Sequence, residues 1–164
     1  MNDPMRILKA DHREVEQLLT KLAETDEGSE RESMVAELEK KLTAHMDMEE
    51  RLVYPVLKDK VGAEDEEEAE VEHGLAREGL QKLMGMMEAP GFGAAVEMLK
   101  GGISHHVQEE EGELLPELKD ASTRDEWSEL GDALVREKEA AGLPAPQPQR
   151  RRSTKRRRTA GSRK

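Results

Sequence analysis

Four stretches of the chain place apolar side chains three or four residues apart, the spacing of one helical face. The first carries Leu8, His12, Val15, Leu19 and Leu22, and the second Val35, Leu38, Leu42, His45, Glu49, Leu52 and Val56. The third reads Ala69, His73, Ala76, Leu80, Leu83 and Met87, and the fourth Val96, Leu99, Ile103, His106, Glu110 and Leu114. Local chemistry marks where these helices begin and end. Asp3-Pro4 reads as an N-cap followed by proline at the first helical position, opening a helix over residues 4–25. Ser29 with Glu32 forms a capping-box pattern for a second helix reaching residue 59. Gly62 breaks the chain before a third helix over 64–88, and Pro90-Gly91 breaks it before a fourth ending near residue 119. Thr123 with Glu126 repeats the capping box for a shorter fifth helix that stops at Gly142. Short connections between amphipathic helices predict an all-α, up-down-up-down antiparallel four-helix bundle over residues 1–120. An additional C-terminal helix over 121–142 and a disordered segment over 143–164 complete the chain.

Composition agrees. The chain has one Phe, one Tyr and one Trp in 164 residues, with 35% hydrophobic and 38% charged residues, too few aromatics for a strand-built core. Cysteine is absent, which excludes a disulfide scaffold, thiolate-bound zinc, iron–sulfur chemistry and a cysteine nucleophile. No apolar run approaches the ~18 residues of a membrane span and the N-terminus lacks a signal-peptide pattern, so the expected location is the cytoplasm. The net charge of −11 hides a division: nine of the 26 Lys/Arg lie in residues 150–164, leaving 17 against 37 acidic residues and a body charge of −20. Pro144-Ala145-Pro146-Gln147-Pro148 reads as an extended linker to this basic tail. The tail can neutralise phosphates, but it has no aromatic interleaving and no groove-reading element, so nucleic-acid contact through it would be non-specific. It reads equally as a solubilising tail, or as one that folds back on the acidic body.

The polar interruptions of the stripes carry the chemistry. A histidine on an apolar face is ordinarily a core residue bonded to backbone or water. A buried glutamate is harder to dismiss, because without a partner it costs on the order of several kcal/mol or loses its charge. Counting from the turns near residues 27, 62 and 90, at about 1.5 Å per residue, His12, His45, Glu49, His73, His106 and Glu110 all fall within a turn or two of one level. His45/Glu49 and His106/Glu110 are i, i+4 pairs that project from one face. Imidazole and carboxylate without thiolate favour iron or manganese, with zinc the remaining alternative. Six protein ligands exceed one tetrahedral ion and suit two, each with two imidazoles.

An internal repeat sharpens this. His45-Met-Asp-Met-Glu49-Glu50, four residues, Pro55 is matched by His106-Val-Gln-Glu-Glu110-Glu111, four residues, Pro116, and each of the other two helices carries a single histidine on its stripe. With these motifs, residues 4–118 resemble the hemerythrin-like (HHE) cation-binding family. The resemblance implies a non-haem di-iron centre with His12, His45, His73 and His106 as terminal ligands and Glu49 and Glu110 as bridging carboxylates. His105 competes with His106, since Glu109 also lies four residues on, but the Pro116 register and the Leu99/Ile103 stripe favour His106. One departure stands out. Oxygen-carrying hemerythrins have a fifth histidine one turn after the third-helix ligand, and here that position is Arg77. The missing imidazole counts against reversible oxygen storage and in favour of redox chemistry or sensing.

Glu50, Glu111 and Arg77 read either as groups that hydrogen-bond the ligands or as solvated helix-face charges, and Tyr54 either as a redox neighbour or as packing at the bundle end. The run Glu64-Asp65-Glu66-Glu67-Glu68 stabilises a helix N-terminus, and Met84, Met86 and Met87 read as packing. Two functional classes follow. The first is a di-iron protein binding oxygen or a related small oxidant, peroxide or nitric oxide, in the response to oxidative or nitrosative stress. The second is an iron or oxygen sensor without turnover, signalling through the basic tail to nucleic acid or a protein partner.

Overall fold

The computed structural model describes residues 2–145, and the expectations for Pro146–Pro148 and for the basic tail lie outside them. The elements are α1 (Pro4–Ala23), α2 (Ser29–Met48), α3 (Tyr54–Lys60), α4 (Ala63–Met84), α5 (Phe92–Glu109), α6 (Leu115–Ala121) and α7 (Arg124–Ala140), with no strand among the described residues. A π-helical turn over Glu49–Val53 joins α2 to α3, and another over Glu110–Leu114 joins α5 to α6, so each pair forms one long rod. The four rods α1, α2–α3, α4 and α5–α6 make the bundle, with α7 packed against α1 and the α2–α3 rod. No helix among the described residues is long and apolar enough to cross a membrane.

The π turns are what the stripes did not foresee. Pro55 and Pro116 have no N–H to give the carbonyl four residues back, and their rings crowd that carbonyl. In each case the preceding N–H reaches one residue further, Tyr54 to Glu49 O and Leu115 to Glu110 O. The extra residue rotates the buried face beyond it by roughly 100°. Leu52, Val56 and Leu114, predicted on the core stripes, are therefore only half-buried, while Val53, Tyr54, Leu57, Leu115 and Leu118 fill the core.

Two apolar blocks result. Val15, Leu19, Leu38, Leu42, Leu83, Phe92 and Leu99 belong to one. Leu8, Met48, Tyr54, Leu57, Leu115, Trp127 and Leu134 belong to the other. The polar interruptions fall where the helices pass between the blocks: His12 between Leu8 and Val15, His45 between Leu42 and Met48.

The helix starts divide in outcome. Thr123 and Glu126 form the predicted capping box on α7. Ser29 does not cap α2: Gly28, at φ 129°, holds the N-cap position, and Ser29 is already helical. That φ suits glycine, and the turn is secured instead by Arg31, which donates to Thr25 O and Met87 O. Asp3 occupies the N-cap of α1 but uses its carboxylate elsewhere, accepting from Trp127 Nε1 at 3.0 Å and pinning α7. The third helix ends at Met84, a turn earlier than the pattern predicts, because Gly85 caps it and residues to 91 form turns. Gly131 lets α7 approach: a Cβ there would lie 2.3 Å from Asn2 O. Gly131→Ala is expected to lower stability by about 1–3 kcal/mol, read as a lower thermal midpoint. Helix propensity alone would raise it by about 1 kcal/mol, so the sign of the shift decides.

Candidate metal centre

His12 comes from α1, His45 from α2, His73 from α4 and His106 from α5, while Glu49 and Glu110 open the two π turns. All six side chains are buried, the two glutamates to 0% and 1% exposure. Their ligand atoms fall into two groups that share Glu49. His12, His45, Glu49 and Glu110 form one and Glu49, His73 and His106 the other, each group lying within 4.8 Å. Glu49 spans them, its Oε1 3.2 Å from His45 Nε2 and its Oε2 3.4 Å from His73 Nε2. Glu110 Oε2 also faces both sides, 3.1 Å from His12 Nε2 and 3.9 Å from His106 Nε2. The His12 and His45 rings meet edge to face at 4.8 Å between centroids, and those of His73 and His106 at 4.7 Å.

Each of the four buried histidines turns Nε2 inward and Nδ1 towards an outer carboxylate. Nδ1 of His12 lies 2.8 Å from Glu111, that of His73 2.9 Å from Glu50 and that of His106 2.8 Å from Glu72. His45 Nδ1 stands 3.7 Å from Asp11. An Nδ1–H donated outward leaves the Nε2 lone pair free to bind a cation. The arrangement is pseudo-symmetric: the residue before a lone histidine, Asp11 or Glu72, backs the histidine of an H-x3-E motif. The residue after a motif glutamate, Glu111 or Glu50, backs a lone histidine. Glu50 and Glu111 are thus both at the centre's edge, whereas Asp11 and Glu72 escaped the sequence reading. Their one sequence signal is an acid immediately before a stripe histidine. Arg77, at the position of the fifth histidine, donates to Glu50 at 2.7 Å and to Asp47 at 2.9 Å. His105 is exposed and His106 buried, as the Pro116 register indicates. The Tyr54 hydroxyl, from α3, sits 3.0 Å from His73 Nε2, inside the ligand layer and not at the bundle end.

The electrostatics call for a cation. Burial pulls the His12 imidazole down, but the Glu110 and Glu49 carboxylates outweigh it and hold its pKa up to about 11. Burial raises Glu49, and the facing His45, His12 and His73 bring it well below the usual carboxylate range. Burial and then Glu49 and Glu110 push Tyr54 well up, so it stays a neutral hydroxyl. Even so, His12 Nε2, His45 Nδ1 and Nε2 and all four oxygens of Glu49 and Glu110 are buried without a hydrogen-bond partner. Buried orphans of this kind are rare in folded proteins and call for an explanation such as an ion. Four inward Nε2 atoms with carboxylates on both sides are the donor set of iron, manganese or zinc.

A cavity of about 480 Å³ between α4 and α5 is lined by all four histidines, by apolar Leu42, Ala76, Leu99 and Ile103, and by the exposed Leu75 and Met98. It joins the cluster to the surface. Glu50→Ala, which leaves His73 Nδ1 without its carboxylate and Arg77 with Asp47 alone, is expected to weaken metal affinity by about 10–100-fold with little change in helix content. Metal retention against a graded chelator checks this.

The relatives agree with the geometry. A curated DNA nickase of Nostoc sp. (strain PCC 7120 / SAG 25.82 / UTEX 2576) is 26% identical over 114 residues, 69% of this chain but 32% of that protein, so the chain spans about a third of that relative's length. A crystal structure of a hemerythrin HHE cation binding domain-containing protein from Mycobacterium kansasii superposes with a TM-score of 0.75 at 27% identity, covering 87% of this chain and 89% of that one. The family model for the hemerythrin HHE cation binding domain matches residues 3–118, every proposed ligand included. The chain belongs to the hemerythrin HHE cation-binding family.

Proposed function

We propose that His12, His45, Glu49, His73, His106 and Glu110 hold two iron ions, and that the loaded protein binds or reduces a small oxidant: oxygen, peroxide or nitric oxide. The observation that carries this reading is Glu49, one fully buried carboxylate facing an imidazole pair on each side. Two irons there would supply electrons by cycling between ferrous and ferric states. The chain's own residues set the conditions. His12 and His45 would hold one ion and His73 and His106 the other, with Glu49 and Glu110 as the carboxylates between them. Glu111, Glu50 and Glu72 hydrogen-bond Nδ1 of His12, His73 and His106 and aim those rings, and Asp11 stands 3.7 Å behind His45 Nδ1. Leu42, Leu99 and Ile103 exclude bulk water, while the cavity between α4 and α5 admits a small molecule. Tyr54 places a neutral hydroxyl where it can donate a hydrogen bond to a molecule arriving beside His73. With Arg77 bonded to Glu50 and Asp47 in place of a fifth imidazole, a bound ion would keep a coordination position open, which suits reaction better than storage.

The test is iron content per chain, with the visible spectrum of the reduced protein before and after peroxide. Two irons and a spectrum that responds, with turnover of peroxide or nitric oxide, support the proposal. A folded chain that binds no metal overturns it. The basic residues 150–164 favour a second reading, a sensor without turnover that contacts nucleic acid through the tail; metal-dependent DNA binding without turnover selects it. Nicking is a property of the Nostoc protein, and no nuclease role is carried over. In either reading the protein works in the cytoplasm.

A further inference from the structure

The four carboxylates behind the histidines do not share the same surroundings. Asp11 is paired with Lys138, Glu50 with Arg77 and Glu111 with Arg13. Glu72 has no Lys or Arg partner among the described residues. What faces it is His105, whose Nε2 lies 3.5 Å from Glu72 Oε1 and 3.3 Å from Glu109 Oε1. The ligand atoms of these three residues all lie within 4.8 Å of one another. Separations of 3.3–3.5 Å are those of neighbouring ligands around an ion held at about 2.0–2.2 Å. His105 and Glu109 form an H-x3-E pair one residue out of phase with His106 and Glu110, so the α5–α6 rod carries two overlapping motifs, one facing inward and one outward.

We propose that Glu72, His105 and Glu109 form a third, solvent-accessible divalent-cation site that captures metal ions and passes them to the buried centre. This rests on the reading of the buried cluster as a metal centre. A dication here would supply the positive charge that Lys138, Arg77 and Arg13 supply to the other three carboxylates. One imidazole and two carboxylates suit ferrous, manganous or zinc ions. The His105 side chain is 62% exposed and that of Glu109 38%, which keeps the ion hydrated and exchangeable, as a transfer site requires. Glu72 links outside to inside, with Oε1 towards His105 and Oε2 2.8 Å from His106 Nδ1. Glu72 and His105 also line the cavity that reaches all four buried histidines, so an ion leaving the outer site need not cross packed core.

The experiment uses the full chain. Manganous ion is titrated into iron-loaded protein and followed by electron paramagnetic resonance, and ferrous uptake by metal-free protein is timed by stopped flow. One additional, weakly held manganous ion is expected on the parent. His105→Ala and Glu109→Gln, which leave the Glu72–His106 contact in place, should remove it and slow ferrous uptake about ten-fold or more, with the final iron content unchanged. No additional manganous ion on the parent, or undiminished binding in both variants, overturns the site. Binding lost while the uptake rate stays the same overturns the transfer role. A parent chain whose final iron content is zero overturns instead the reading of the buried cluster on which the proposal rests.

Discussion

Glu49→Gln is expected to cost the protein both of the proposed metal ions, leaving well under half an ion per chain against an expected two for the parent, with the helical fold intact. Glu49 is the one side chain common to both ligand groups, with imidazole nitrogens at 3.2 Å on one side and 3.4 Å on the other. An amide keeps the shape but removes the charge and offers one acceptor oxygen in place of two. Losing an outer hydrogen-bond partner already costs about 10–100-fold in affinity, and loss of a shared ligand should exceed that at each position. Glu110→Gln should be milder, since Glu110 belongs to one ligand group only and stands 3.9 Å from His106. Metal analysis after gel filtration, with circular dichroism as the control for folding, checks both. A Glu49→Gln protein retaining two ions would remove the ground for calling this carboxylate the bridge.

The second large effect is a divergence between loaded and metal-free protein as pH rises. In the metal-free chain His12 has its pKa raised to about 11 by Glu110 and Glu49 against the opposing effect of burial, from an ordinary value of 6.5. A histidine with a raised folded pKa gives stability that is complete below the unfolded value and is lost as pH climbs through the folded one. Between pH 6.5 and about 11 the metal-free chain should therefore weaken steadily, by up to about 1.4 kcal/mol per pH unit. A bound cation needs neutral imidazoles, so loading near pH 7 displaces the His12 proton and the loaded chain escapes this loss. Glu49 acts in the opposite window. Its lowered pKa gives stability present above the ordinary carboxylate range and lost as pH falls. Thermal midpoints of both forms at pH 6.5 and pH 9 should separate further at the higher value. Parallel midpoints would mean that His12 carries no proton for the metal to displace.

The sequence was most informative where the helices are regular. From α1 to the start of the first π turn, and through α4 and α5, every stripe position falls in the core or at its edge, because a 3.6-residue period and single glycine or proline breaks dominate there. The six candidate ligands were legible for the same reason: each sits on a regular helix or at the first residue beyond one, before the period shifts. Leu52, Val56 and Leu114 misled because one inserted residue per rod, placed by Pro55 and Pro116, is invisible to a fixed period. Asp11 and Glu72 were missed because they flank the stripes, where an acid on a chain with 37 of them carries little information until the fold brings it to a neighbouring helix. Ser29 lost its cap to a glycine whose backbone geometry no side-chain pattern announces.

The π turns have one more consequence. On two of its four rods the bundle is a pair of stacks set out of step by one residue, and the ligand layer lies along the joint between them. Side chains cannot interlock across such a joint as they do within either stack, so it is a fault plane in the molecule. The ions proposed to sit there would be the rivets that close it.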